Sequence, residues 1–140
     1  MEARITMVSL GVRDLGKATA FYETVLGWEK TMASNESISF FRLNGILLGL
    51  YGWEPLAGDA GVPSEGVGFR GVALAYNTRS KEEVDYVFRE LEGKGATIVK
   101  APEEVFWGGY SGYFSDPDGH LWEVAWNPHL QLDEQGNVKS

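Results

Sequence analysis

The sequence predicts an α+β fold made of two βαβββ modules in a single domain. Stretches of alternating and of helical hydrophobic spacing follow one another as strand, helix and three strands, and the same order then repeats. The halves also match in pattern, with Met7 opposite Gly71 near the start of each half and Gly49 opposite Glu123 near its end. A chain of 140 residues suits one domain with its own hydrophobic core.

The first module is expected over about residues 4–52. Alternation predicts a strand from Ile5 to Val12, and Asp14 is a suitable cap for the helix that follows it. Three further strands are predicted over residues 28–32, 37–43 and 46–51. Asn44-Gly45 between the last two is a strong signal for a two-residue hairpin turn.

A crossover loop is predicted over residues 53–68, which are rich in Gly, Pro and Ala and show no periodicity. The second module then spans about residues 69–128. Its predicted elements are a strand over 69–76, a helix that either Thr78 or Ser80 caps, and strands over 97–100, 109–115 and 121–126. Ser80 and Glu83 have the spacing of a capping box, and Asp116-Pro117-Asp118-Gly119 is predicted to form the turn between the last two strands. Residues 1–128 thus form the domain, and residues 129–140 are predicted to be a C-terminal tail.

Composition excludes several classes of function. The net charge of -8 argues against nucleic acid, which needs a basic surface. The chain has no cysteine, which excludes disulfides, zinc sites built on thiolates and cysteine nucleophiles. No apolar run approaches the ~20 residues of a membrane helix, and no signal peptide is recognised. A cytoplasmic protein without a membrane partner is expected.

Two motifs carry a resemblance to a known family. The first is ITMVSLGVRDL (Ile5 to Leu15) with Ala20-Phe21-Tyr22 and Leu26-Gly27-Trp28 after it, and the second is DPDGHLWE (Asp116 to Glu123). They resemble the opening and the close of the glyoxalase/bleomycin-resistance/extradiol-dioxygenase (vicinal oxygen chelate) superfamily. The resemblance implies that each module forms a curved mixed sheet and that two modules enclose a cavity, within one chain or across a homodimer. It does not select an activity, since the family includes enzymes and antibiotic-binding proteins.

The strand faces opposite the helices carry mostly small residues. Strand alternation places bulky Val, Leu and Trp side chains beneath the helices, and in the strand over 69–76 it places Val72, Leu74 and Tyr76 there. One carboxylate, Glu123, is left on the other side. The small residues of that side are Ser9, Gly11, Gly49, Gly71, Ala73, Ala75 and Ala125. They leave volume for a ligand; alternatively, they allow close packing against a loop or a partner subunit.

A metal site is expected to be degenerate. The resemblance implies four metal-ligand positions, which correspond to Met7, Gly49, Gly71 and Glu123. Only Glu123 can hold a hard divalent cation, and a catalytic site needs about three protein ligands. His120 and His129 are expected at the surface. No cofactor and no bound metal are therefore predicted.

The preferred prediction is a protein that binds a small organic molecule in a sequestering or resistance-type role, as a homodimer. The predicted ligand-binding residues are Met7, Ser9, Gly49, Tyr51, Gly71, Ala73, Trp107, Tyr110, Phe114 and Glu123. A lyase or isomerase of glyoxalase type is the alternative, with Glu123 as general acid or base. Hydrogen-bond donors for it are sought among Ser9, Tyr51, Tyr110 and Tyr113. In a third interpretation the domain is only a scaffold, and Glu123 pairs with Arg42 or Arg70.

Overall fold

A computed structural model describes residues 1–139 of the chain, and these residues contain seven strands and three helices. The chain divides into two units, Met1–Arg70 and Gly71–Ser140. The first contains β1 (Met7–Val12), α1 (Leu15–Thr24), β2 (Ile38–Arg42), β3 (Leu47–Gly52) and α2 (Trp53–Ala60). The second contains β4 (Ala73–Thr78), α3 (Lys81–Gly93), β5 (Thr97–Glu104), β6 (Tyr110–Ser115) and β7 (Leu121–Trp126). The predicted α+β class is confirmed.

The sheet of the first unit has the order β1-β3-β2, with β1 parallel and β2 antiparallel to β3. The hairpin between β2 and β3 turns at Asn44-Gly45, as predicted. Gly45 has a φ of 75°, in the left-handed region that favours glycine, and the Leu43 amide donates to the Ile46 carbonyl at 2.9 Å.

Helix α1 covers one face of this sheet. It begins at Asp14, whose carboxylate accepts from the Lys17 amide at 2.9 Å. Thr19 and Ser39, both buried, share a hydrogen bond of 2.8 Å between helix and sheet. The buried apolar residues around them are Leu10, Val12, Ala18, Phe21, Tyr22, Phe41, Leu48 and Leu50. The alternation thus assigned the covered face of β1 and β3 correctly.

Two predicted segments of the first unit differ from the structure. The strand expected over residues 28–32 is reduced to a single bridge between Lys30 and Phe41, so this sheet has three strands. The expected crossover loop over 53–68 opens with α2. Pro55 is tolerated there because it lies in the first turn, where its missing N–H has no helical partner to lose. The Trp53 ring lies 3.2 Å from the position of a Cβ at Gly11, so a contact distant in sequence holds the helix in place.

The sheet of the second unit has the order β4-β7-β6-β5. Strands β4 and β7 are parallel, and the other pairs are antiparallel. Helix α3 starts at Ser80, whose hydroxyl accepts from the Glu83 amide at 3.2 Å, while the Glu83 carboxylate accepts from the Arg79 amide at 2.8 Å. The capping signal of the sequence is therefore confirmed. The helix buries Val84, Phe88 and Leu91 against a layer that includes Phe114, Trp122 and Val124.

Strand β4 lies at the edge of its sheet, and this changes the burial expected for it. Val72 and Tyr76 were expected beneath the helix, but they are 60% and 52% exposed. Val72 precedes the strand, and Tyr76 has a neighbouring strand on one side only. Leu74 is half-buried.

The predicted C-terminal tail packs as part of the second unit. Leu132 and Val138 form an antiparallel bridge. The Arg79 guanidinium donates from Nη2 to the carbonyls of Asp133 and Glu134, at 2.7 and 3.1 Å. The tail was predicted to extend to residue 140, which lies outside the described residues. None of the helices within residues 1–139 combines the length and the apolar character required to span a membrane.

Candidate functional site

A row of four residues crosses the second sheet on the face that α3 leaves uncovered. Ala75 of β4 pairs with Glu123 of β7, Glu123 pairs with Tyr113 of β6, and Tyr113 pairs with Lys100 of β5. The residues before and after Glu123, Trp122 and Val124, are buried beneath the helix. Because successive side chains of a strand point to opposite faces, Glu123 projects away from α3. We call the face that carries this row the open face of the second sheet.

Tyr113 and Glu123 interact directly on this open face. The pKa of Tyr113 is raised by burial of its phenol and by the neighbouring Glu123 carboxylate, and the positive charge of Lys100 opposes the rise. The phenol is therefore protonated at neutral pH, and Tyr113 stands opposite the Glu123 carboxylate in the ladder. The pair presents a donor and an acceptor at one point of the sheet.

Lys100 also has a carboxylate partner outside this pair. Its ammonium group lies 2.7 Å from Oε1 of Glu103. The hydrogen bond to Glu103 and the charge of that residue raise the pKa of Lys100. Lys100 therefore contributes a positive charge at the edge of the row, next to Tyr113.

Small side chains flank the pair. By strand alternation Ala73, Ala125 and Ser111 lie on the same face as Glu123 and Tyr113. The Trp107 ring fills the space that a Cβ at Gly109 would need, just before β6 begins. Of the predicted ligand-binding residues, Glu123, Ala73 and Trp107 thus lie along this face.

The open face of the first sheet carries a second group of predicted residues. Ser9 pairs with Gly49 in β1 and β3, and Gly49 pairs with Phe40 in β2. The Met7 sulfur and the Phe40 ring lie 3.6 and 3.5 Å from the position of a Cβ at Gly49, so these two side chains occupy the space above the glycine. Tyr51 lies on the same face by strand alternation.

Two predicted aromatic residues lie on the opposite face of the second sheet. The Tyr110 hydroxyl donates to Oδ1 of Asp85 in α3 at 2.7 Å, which raises the pKa of Tyr110. Phe114 is buried and stacks on Trp122, with ring centroids 6.2 Å apart. Even-numbered positions of β6 face the helix, so neither residue shares a face with Glu123.

Gly71 lies outside strand β4, which begins at Ala73. Its φ of 82° is in the left-handed region, where a side chain is strained. The backbone conformation at the position that the resemblance assigned to a metal ligand therefore favours glycine.

Tyr113 was missing from the predicted ligand-binding set, although it had been considered as a donor. The signal for it was present in Asp116-Pro117-Asp118-Gly119. The buried Asp116 carboxylate accepts from the amides of Asp118 and His120, both at 2.9 Å, and so fixes the turn. This turn pairs Ser115 with Leu121 and therefore Tyr113 with Glu123.

The structure has two mixed sheets, each with a helix on one face. This is the fold that the two sequence motifs, Ile5 to Leu15 and Asp116 to Glu123, led us to expect. The chain belongs to the Glyoxalase/Bleomycin resistance protein/Dioxygenase superfamily, whose family model matches residues 4–124. The resemblance inferred from the sequence is therefore confirmed.

Three similar proteins illustrate which members of the superfamily this chain resembles. A glyoxalase-related enzyme from Fulvimarina pelagi is 32% identical, with a TM-score of 0.85 over 99% of each chain. The fosfomycin resistance protein FosX from Listeria monocytogenes is 25% identical, with a TM-score of 0.70 over 92% of this chain and 97% of that one. Metallothiol transferase FosB from Lysinibacillus sphaericus is 29% identical over 119 residues, 85% of this chain and 79% of the relative.

The prediction of a protein without a cofactor is contradicted by these relatives, because the FosB proteins are named as metallothiol transferases. Within residues 1–139 no three His, Cys, Asp or Glu side chains come together in a group that could hold a metal ion. Of the four positions that the resemblance implied, Met7, Gly49 and Gly71 offer no hard side-chain ligand, and Glu123 offers one carboxylate.

Proposed function

We propose that the protein binds a small organic molecule at the open face of the second sheet and serves in a resistance-type role. The observation that carries this proposal is the cross-strand pair of Glu123 and Tyr113, which stands on a sheet face lined by small residues. A bound molecule could use the carboxylate as acceptor and the phenol as donor, while Ala73 and Ala75 leave room for its apolar part.

Fosfomycin is the first compound to test. The support is the similarity to the fosfomycin resistance protein FosX and to the FosB transferases, which cover most of this chain. Because the FosB relatives are named as metallothiol transferases, the assay also contains a thiol and a divalent cation. The proposal for this chain rests on the Glu123–Tyr113 pair, and the relatives supply the probe.

A second candidate function is proton transfer by Glu123 in a lyase or isomerase. The observation that favours it is that a protonated phenol stands opposite the carboxylate in the ladder. A carboxylate can accept a proton from carbon next to a carbonyl group, and an adjacent phenol O–H can stabilise the negative charge that develops on oxygen. In this case the ligand would be converted rather than held.

The test compares binding and turnover in the same samples. Calorimetry measures the affinity for fosfomycin with a divalent cation present and with a chelator, and phosphorus NMR follows the compound when a thiol is added. The variants are Glu123→Gln and Tyr113→Phe, with Glu92→Gln and Tyr86→Phe as matched controls, because both control residues are exposed on α3.

The proposal expects saturable binding that the two site variants weaken about tenfold, which corresponds to about 1.4 kcal/mol, while the controls match the original protein. New phosphorus signals that Glu123→Gln abolishes would favour the enzyme. Equal affinity in all four variants, or no binding of fosfomycin under either condition, would refute the proposal.

A further inference from the structure

A cavity of about 320 Å³ lies within the second unit, away from the open face of its sheet. It lies between the C-terminal ends of the parallel strands β4 and β7 and the segment over residues 130–139, and it is open to solvent. Its lining residues are Thr78, Arg79, Trp126, Leu130, Gln131, Leu132 and Lys139. The volume is within the range of about 300–1,000 Å³ that is usual for small-molecule sites. We call it the C-terminal cavity.

The wall formed by the C-terminal segment is held by a set of hydrogen bonds. The Asp133 carboxylate accepts from the amides of Gln135 and Asn137 at 2.9 and 2.8 Å, which closes a turn. The Lys139 amide donates to the Gln131 carbonyl at 2.9 Å, and this hydrogen bond joins the chain segments before and after that turn. Arg79 ties the turn to the sheet, as described above. These hydrogen bonds therefore hold the C-terminal segment in place as one wall of the cavity.

The charges that line the C-terminal cavity are positive. Arg79 and Lys139 contribute a guanidinium and an ammonium group, and no carboxylate side chain is among the lining residues. The hydrogen bonds that the Arg79 side chain makes within residues 1–139 come from Nη2, and the guanidinium also carries N–H groups on Nε and Nη1. In a protein of net charge -8, such a cationic lining is a local departure from the general surface.

The remaining lining is suited to an apolar body. Trp126, Leu130 and Leu132 offer indole and aliphatic surface beside the two cations. Lys81, whose ammonium group pairs with the Glu104 carboxylate, lies 5.4 Å from the centre of the Trp126 ring. Apolar surface beside a guanidinium and an ammonium group favours a molecule with an anionic group and an apolar body.

From these observations we propose that the C-terminal cavity is a second ligand site, which binds a small organic carboxylate with an aromatic or aliphatic body. The carboxylate is held by Arg79 and Lys139, and the body packs against Trp126 and the two leucines. The site is distinct from the Glu123–Tyr113 pair and does not depend on the function proposed for that pair.

Benzoate and benzamide are the probes, because they have almost the same shape and differ in charge. The indole N–H signal of Trp126 is followed by proton–nitrogen NMR of the full chain and is assigned with Trp126→Phe. Lys139→Gln removes one cation of the cavity and leaves the Arg79 anchor intact. Lys17→Gln, on the exposed surface of α1, is the control for the loss of one positive charge.

The expected result is a saturable shift of the Trp126 indole signal with benzoate and none with benzamide. Lys139→Gln should weaken benzoate binding about threefold to fivefold, the range expected for a partly exposed ion pair, and Lys17→Gln should not change it. The proposal is overturned if benzoate leaves the Trp126 signal unmoved, if benzamide binds as well as benzoate, or if Lys139→Gln binds benzoate as the original protein does.

Discussion

Glu123 of β7 and Tyr113 of β6 lie directly opposite each other in the antiparallel ladder, and burial together with the charge of the carboxylate raises the pKa of the phenol. This pair stands on the face of the second sheet that α3 does not cover. Its position follows from the turn at Asp116, which fixes the register of the two strands. The site proposed for a small molecule is therefore a consequence of one local turn and of strand alternation.

Replacing Glu123 by Gln is predicted to lower the pKa of Tyr113 towards its ordinary value near 10. The negative charge that opposes ionisation of the phenol is then lost, while burial of the ring still keeps the pKa somewhat raised. Titration of the Tyr113 ring ζ-carbon by NMR measures the change. Glu92→Gln should leave this titration unaltered. An unchanged pKa in Glu123→Gln would mean that the two side chains do not interact.

The buried hydroxyls of Thr19 and Ser39 are predicted to behave as a coupled pair. Ser39→Ala leaves the Thr19 hydroxyl without its partner and should lower the free energy of unfolding by about 1–3 kcal/mol. Adding Thr19→Val removes the unsatisfied group, so the double variant should recover part of that loss. Urea denaturation of the three variants completes the cycle. Additive losses would show that the hydrogen bond is unimportant.

Two glycines are predicted to respond to alanine in opposite directions. Gly71→Ala should lower the free energy of unfolding by about 1–2 kcal/mol, because the φ of 82° at this position is unfavourable for a residue with a Cβ. Gly58 lies inside α2 with open space around it, so Gly58→Ala should raise the free energy of unfolding by about 0.5–1 kcal/mol. Thermal and urea unfolding measure both. Equal effects would show that the backbone at Gly71 is not left-handed.

The turn at Asp133 is predicted to loosen in acid. Hydrogen bonds from Asn137, first its amide and then its side chain, hold the pKa of Asp133 below the ordinary value of 3.8. A lowered pKa means that the carboxylate stabilises the turn above pH 3.8, and that this contribution is lost as the pH falls through the pKa of the folded protein.

The amide signals of Gln135 and Asn137 report the state of this turn in an NMR titration. They should move together in the original protein as the pH falls below the ordinary value for an aspartate. In Asp133→Asn the side-chain oxygen can still accept both hydrogen bonds but no longer titrates, so these signals should stay constant. Movement of the same size in both proteins would rule out Asp133 as the titrating group.

Local signals predicted the boundaries of the fold well. Asp14 and Ser80 cap their helices, and the turns at Asn44-Gly45 and Asp116–Gly119 form as expected. Each of these features depends on residues that are neighbours in sequence, which is why the chain alone reveals them. The covered faces of β1, β3 and β7 followed from alternation for the same reason.

Features that depend on distant contacts were missed. Helix α2 forms where Trp53 packs against Gly11, and the C-terminal segment docks because Arg79 reaches its carbonyls. The segment over 28–32 has the composition of a strand but makes only one bridge with β2. Nothing in the local sequence distinguishes these outcomes, because the partner residues lie far away along the chain.

The candidate site was predicted in part. Glu123 was identified as the carboxylate of the open face, but Tyr110 and Phe114 were chosen for their aromatic character and lie beneath α3. Strict alternation along β6 would have selected Tyr113 instead. The prediction of no cofactor was wrong for another reason. It rested on the residue types at the four positions that the resemblance implied, and those residue types do not reveal that relatives of the chain are named as metallothiol transferases.

Carbon-13 labelling of the tyrosine rings tests the proposed site most directly. Tyr113 and Tyr110 lie on the same strand but on opposite faces of the sheet, so each serves as the control for the other. Titration with fosfomycin in the presence of a divalent cation should shift the Tyr113 ζ-carbon in a saturable manner and leave that of Tyr110 in place. A shift confined to Tyr110, or no saturable shift of Tyr113, would contradict ligand binding at the Glu123–Tyr113 pair.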